Sequence, residues 1–152
     1  MTENSMDFEL KDHTGTTHTR DGLRGKRVLL SFHPLAWTKV CADHMLSLEA
    51  NYEALAKRDT VALGVSVDSV PCKKAWAKSL GIEQTPLLCD FWPHGELAQS
   101  LELFLAEGGT SERANVILNQ DSEIIFKKIY PMSEVPDMGE ILAFLDEEPE
   151  RR

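Results

Sequence analysis

No Cys-x-x-Cys pair occurs in this chain, and its three cysteines, Cys41, Cys72 and Cys89, are an odd number that forms no disulfide framework. A reducing compartment suits such usage better than an oxidising one. Basic residues are also short: 16 Lys and Arg face 25 Asp and Glu, a net charge of −9. Surfaces for nucleic acid or anionic membrane need clustered Lys and Arg, so both partners are set aside. No apolar run approaches the ~20 residues of a membrane span. The longest are pieces such as ILAFL at 141–145. The N-terminus lacks a basic region followed by an apolar stretch, so no export signal is visible. These absences lead to the expectation of a soluble, cytoplasmic protein. Repeats, low-complexity tracts and shifts of composition are missing too. One domain over residues 1–152 is therefore expected, with frayed ends only at 1–4 and 147–152.

What is present is an alternation of periods. Residues 27–33 (RVLLSFH) read as a buried strand, and 38–58 as a helix with Cys41, Met45, Leu48, Tyr52 and Leu55 on one face. Residues 60–67 (TVALGVSV) are a second strand. A second helix follows over 71–80, with Asp68 or Ser69 as cap and Pro71 in its first turn. Residues 85–90 (TPLLCD) predict a third strand and 97–104 a short helix. Segments 114–118 and 123–130 flank a polar turn and form a hairpin, and 138–145 is a last helix. Strands alternating with helices predict an α/β fold: a central mixed β-sheet with helices on both faces. A thioredoxin-like layout fits the late hairpin; a small flavodoxin-like sheet is the alternative.

In such a sheet, functional groups collect beyond the carboxyl ends of the parallel strands. Cys41 follows the first strand, Cys72 follows the second, and Cys89 ends the third, so one edge should gather all three. Arg113 precedes the hairpin and reaches the same edge if that strand runs antiparallel. Cys41 sits in the first turn of its helix, where unpaired N–H groups and the positive helix end favour an anion. An ordinary thiol is only a few per cent ionised at pH 7, and lowering a thiol pKa by ~2 units takes about 2.7 kcal/mol. A helix terminus supplies up to about 1–2 of that. The Arg113 guanidinium is the candidate for the rest. Thr38 offers a hydroxyl one turn before the sulfur, and the Pro34 ring walls the loop. Against this stands the plainer reading of each cysteine as a buried small hydrophobe.

Pro34-Leu-Ala-Trp-Thr38-Lys-Val-Cys41 resembles the Pro-x-x-x-Thr-x-x-Cys signature of peroxiredoxins, thiol-dependent peroxidases of the thioredoxin-like superfamily. The resemblance runs along nearly the whole chain. FELKDHTGTTHTRDGLRGKRVLLSF is similar to that family's N-terminal β-hairpin extension and first core strand. GVSVDSVPCKKAW and PLLCDFWPHGELA resemble later family segments, and SERANVIL resembles the stretch with the active-site arginine. The resemblance implies that Cys41 attacks the peroxide O–O bond and becomes a sulfenic acid. It implies that Thr38 binds the peroxide and that Arg113 stabilises the thiolate and the leaving oxygen. Pro34 would shield the sulfenic acid. No bound cofactor and no metal are implied, and the five histidines make no ligand pattern, Cys41-x-x-His44 being at most half a zinc site. Hydrogen peroxide or organic hydroperoxides would be the substrate, a thioredoxin-like thiol protein the reductant, and a homodimer the assembly.

Two departures stand out. Many relatives carry Glu three residues after the cysteine, where it orients the arginine; His44 stands there. Leu46 occupies the place where one subgroup has a second cysteine, and no cysteine follows Cys89. Regeneration therefore falls to Cys72, to Cys89 or to an external thiol. Cys72, placed where a helix start lowers a thiol pKa, is the better internal candidate. A redox sensor switched by Cys41 oxidation is the alternative function. A disulfide reductase is a weaker third reading, because Thr38 and His44 fill the places where a partner sulfur would sit. Trp37 and Trp92 are read as lining the pocket or an interface, or as ordinary packing.

Overall fold

The computed structural model describes residues 8–148. Residues 1–4 and 149–152, expected to fray, lie outside them, whereas Glu147 closes the last helix. Strands β1 (Glu9–Lys11) and β2 (Thr17–Thr19) form an antiparallel hairpin. Then come β3 (Arg27–Phe32), α1 (Lys39–Ala50), α2 (Tyr52–Ala56), β4 (Thr60–Ser66), α3 (Val70–Leu80), β5 (Leu87–Cys89) and α4 (Glu96–Ser100). A two-residue pair, β6 (Phe104–Leu105) with β7 (Thr110–Ser111), precedes β8 (Arg113–Leu118), β9 (Ile124–Tyr130) and α5 (Met138–Glu147). The main sheet has the order β5-β4-β3-β8-β9. β3, β4 and β5 are parallel, and β8 and β9 are antiparallel to their neighbours.

Every residue of β3 and β8 is buried, so alternate side chains serve two cores. Val28, Leu30 and Phe32 join Val116 and Leu118 against α4 and the N-terminal Phe8. Leu29 and Ile117 face the other way, against Met45 and Leu48 of α1, Trp76 of α3 and Ile141 and Leu145 of α5. Helices thus cover both faces. Among the described residues no helix is long and apolar enough to cross a membrane.

The expected helix over 38–58 is two helices. Asn51 leaves helical geometry at φ −101°, ψ 12°, and its amide donates to the Ser47 carbonyl at 2.7 Å. Such a local side-chain bond competes with the helix ladder. The break rotates the apolar stripe, so Leu55 is buried and Tyr52 exposed. The helix expected over 97–104 stops at Ser100, because Glu102 turns the chain at φ +59° and Phe104 pairs in β6. Ser69, not Asp68, caps α3: its side chain accepts from the Cys72 N–H at 3.4 Å. Asp68 is thereby left for another task.

Gly64 sets how closely α1 approaches the sheet. A Cβ there would overlap Met45 Sδ and lie 2.9 Å from Leu87 Cδ2. Gly64→Ala should therefore destabilise the fold by about 1–3 kcal/mol through overpacking. Denaturant unfolding measures this, and an unchanged midpoint would show that Met45 simply moves aside.

Candidate active site

The register brings the carboxyl ends of the parallel strands to the start of β8: Phe32 faces both Val65 and Ala114, and Ser66 faces Cys89. Beyond that edge Cys41 is the third residue of α1, only 1% exposed. It precedes the first intrahelical bond, from the Ala42 N–H to the Thr38 carbonyl at 2.9 Å. The free N–H groups of this first turn make the end of α1 favourable for negative charge. Thr38 is the N-cap residue, in extended geometry. Its hydroxyl donates to the Leu35 carbonyl at 3.0 Å, so its lone pairs are what it offers to a substrate O–H.

Arg113, the first residue of β8, is buried and points all its nitrogens at named acceptors. Nη2 donates to Cys41 Sγ at 3.4 Å, Nε to the Met132 carbonyl at 3.2 Å, and Nη1 meets His44 Nδ1 at 3.0 Å. His44 thus takes the orienting place in which relatives carry Glu. It does so as a neutral ring: burial first, then Arg113 and Lys73, push its pKa down to about 3. His44 Nε2 in turn lies 2.6 Å from Ser31 Oγ, which donates to Asn115 Oδ1 at 2.6 Å.

The loop carrying Pro34 and Thr38 is pinned from below by Asp68. Its Oδ2 accepts from the Ala36 N–H at 2.8 Å and from the Ser66 hydroxyl at 2.6 Å. Trp37 sits on the loop at φ +70° with 58% of its surface exposed, and Pro34 is half-buried. Under the loop, buried Lys73 donates to Ser66 Oγ at 2.7 Å and to His33 Nε2 at 2.9 Å. Burial lowers the Lys73 pKa to about 8 although Cys89, Asp68, Cys41 and Cys72 act the other way. Burial and then Lys73 hold His33 neutral, well below its usual range.

All three thiols are free. Cys72, in the first turn of α3, donates to Asp68 Oδ1 at 3.7 Å. The helix start was expected to favour its thiolate, but the reverse holds: burial and the Asp68 carboxylate raise its pKa. Cys89 ends β5, and burial pushes its thiol up to about 11. Among the described residues no three His, Cys, Asp or Glu side chains are grouped to hold a metal ion.

A model of the AhpC/TSA family matches residues 1–127 of the chain. The chain belongs to this family of peroxiredoxins. It is 36% identical over 132 residues to alkyl hydroperoxide reductase E of Mycobacterium tuberculosis, covering 86% of each protein. With a peroxiredoxin of Hyperthermus butylicus it shares 32% over 141 residues, 86% of this chain and 60% of that one. Among solved structures, AhpC of Enterococcus faecalis superposes with a TM-score of 0.86 at 25% identity, over 96% of this chain and 90% of that chain. BcpB of Mycobacterium tuberculosis superposes at 0.82 with 23% identity, over 95% and 94% of the two chains. The layout of this peroxiredoxin is accordingly the thioredoxin-like one rather than a flavodoxin-like sheet.

Several residues around Cys41 were not read as site residues from the sequence: Ser31, Asp68, Lys73 and Asn115. A signal existed for two of them. Ser31 and Asn115 are polar residues inside strands that are otherwise apolar after their first arginine, and Asn115 shares its strand face with Arg113 by the two-residue period.

Proposed function

We propose that Cys41 is the sulfur through which this thiol-dependent peroxidase reduces hydrogen peroxide and organic hydroperoxides. The observation that carries the reading is the buried Arg113 Nη2 at 3.4 Å from Cys41 Sγ, at the positive end of α1. The Cys41 thiolate attacks one peroxide oxygen, the O–O bond breaks, and the sulfur keeps that oxygen as a sulfenic acid. The other oxygen leaves with the electron pair, takes a proton and departs as water or an alcohol. Arg113 faces the charge at sulfur and at the leaving oxygen, while Thr38 Oγ1 accepts the peroxide O–H. Pro34 walls the loop above the sulfur. A sensor without turnover has no observation in its favour, and relatives named as hydroperoxide reductases weigh against it. The reading extends to a single domain over the chain, a cytoplasmic homodimer and a thioredoxin-like thiol reductant.

Regeneration is assigned to Cys72. Its thiol attacks the Cys41 sulfenic acid, water leaves, and a Cys41–Cys72 disulfide remains for an external dithiol to reduce. Asp68 accepts the Cys72 S–H and keeps that thiol protonated until it attacks, its proton leaving with the sulfenic hydroxyl as water. The first turn of α1 has to unwind for the two sulfurs to meet, and Asp68, which also holds the Ala36 N–H, links that loop to Cys72. Peptide mapping after one equivalent of peroxide tests the cycle. The wild type should lose two hydrogens and yield a Cys41–Cys72 peptide. Cys72→Ser should stop at a Cys41 that has gained one oxygen. If both proteins carry only the sulfenic acid or a mixed disulfide with added thiol, the cycle runs on Cys41 alone.

A further inference from the structure

The contacts of Arg113 do not end at His44. Ser31 has one hydroxyl proton and gives it to Asn115 Oδ1 at 2.6 Å, so Ser31 Oγ accepts from His44 Nε2 at 2.6 Å. His44 is neutral, with its proton on Nε2, and presents the lone pair of Nδ1 to the guanidinium. On the other side Asn115 Nδ2 donates to Tyr130 Oη at 3.3 Å, and Tyr130 donates to Glu140 Oε1 at 2.7 Å. The line crosses adjacent strands β3, β8 and β9 and ends on α5. Every link points the same way, from guanidinium to carboxylate.

The opposite direction is available to each middle member. Tyr130 can donate to a flipped Asn115, Asn115 to Ser31, and Ser31 to His44 Nε2. The His44 proton would then sit on Nδ1, against an N–H of Arg113, and two donors would face each other at 3.0 Å. The donor-only guanidinium opposes this reversal at one end, and a terminal group that accepts and cannot donate opposes it at the other, because it holds the Tyr130 proton. An ionised carboxylate is such a group. Glu140 lies below the usual carboxylate range because Lys128 and then Tyr130 bond its oxygens.

We propose that Glu140 is a remote positioning residue, whose carboxylate sets the direction of the hydrogen bonds through Tyr130, Asn115, Ser31 and His44 and thereby seats the Arg113 guanidinium against Cys41. The inference rests on Cys41 and Arg113 being the reacting pair. It explains how a neutral His serves where relatives carry an anion: the anion stands at the far end of the line. Cooperative networks of this kind stiffen a site beyond any single bond.

The test compares Glu140→Leu, Glu140→Gln and Lys128→Met in two readouts: the second-order rate constant for hydrogen peroxide and the rate of Cys41 alkylation by iodoacetamide. Glu140 is partly exposed, so its variants keep the fold. Glu140→Leu should slow both about tenfold, within the range of coupling seen for residues that act at a distance. Glu140→Gln keeps an acceptor for Tyr130 and should fall between it and the wild type. Lys128→Met removes the same 2.6 Å ion pair and the ammonium over the Tyr130 ring but keeps the Tyr130–Glu140 hydrogen bond, and should leave both rates unchanged. Added to Arg113→Ala, Glu140→Leu should have no further effect, since it acts through the arginine. Wild-type rates in Glu140→Leu, equal slowing by Lys128→Met, or further slowing of Arg113→Ala would each overturn the proposal. If turnover survives Cys41→Ser while Cys41 alkylation still slows in Glu140→Leu, the relay stands and the peroxidatic reading falls.

Discussion

Replacing Cys41 by Ser should bring peroxide consumption down to the rate of buffer alone while the fold remains. The change is nearly isosteric, and the buried sulfur leaves at most a small gap. What is lost is the sulfur that on this reading gives two electrons to the O–O bond: a serine oxygen is neither ionised near neutral pH nor soft enough to accept the oxygen. Cys72 cannot take its place, because burial and the Asp68 carboxylate both hold that thiol protonated. The measurement is peroxide removal with excess dithiothreitol, with circular dichroism alongside. Retained turnover in a folded Cys41→Ser protein would move the nucleophile elsewhere.

Arg113→Ala should slow the peroxide step by about 10²–10³-fold, the effect seen when one preorganised donor to developing charge is removed. Its consequences divide in two. Loss of the 3.4 Å contact takes a donor from the sulfur, and the leaving oxygen loses its donor in the transition state. Stopped-flow rates at a pH where thiol ionisation no longer limits isolate the second part. Wild-type rates there would reduce Arg113 to a structural residue. The variant also leaves the Met132 carbonyl and His44 Nδ1 without their donor, so a stability loss of about 1–3 kcal/mol should accompany it. Arg113→Lys keeps the charge yet cannot reach three acceptors at once, and should recover only part of the rate.

The order of strands and helices, and the placing of Pro34, Thr38 and Cys41 at one strand-to-helix junction, were legible because they depend on neighbours within a turn or two. Apolar runs bury themselves, Pro71 starts a helix, and the spacing from Thr38 to Cys41 is one turn of α1 whatever surrounds it. The elements alone also sent Arg113 to the edge that holds Cys41, since a strand antiparallel to β3 begins where β3 ends. Local pattern failed where a single side chain outvoted it, as at Asn51, where an amide bonded to Ser47 splits one periodic stretch into α1 and α2.

Partnership across the sheet was beyond local reading. Ser31 meets Asn115 only because β3 and β8 pair in one register, 84 residues apart in the chain; a slip of one residue would turn Asn115 to the other face. Burial, a property of the whole packed molecule, makes His44 neutral and raises the Cys72 thiol that its helix start would otherwise have lowered. The chain by itself therefore determined that Pro34, Thr38, Cys41 and Arg113 gather at one edge of the sheet. The tertiary structure decided the proton on His44, the seat of Arg113 and the acidity of Cys72, because hydrogen-bond direction and desolvation depend on atoms that sequence distance does not relate.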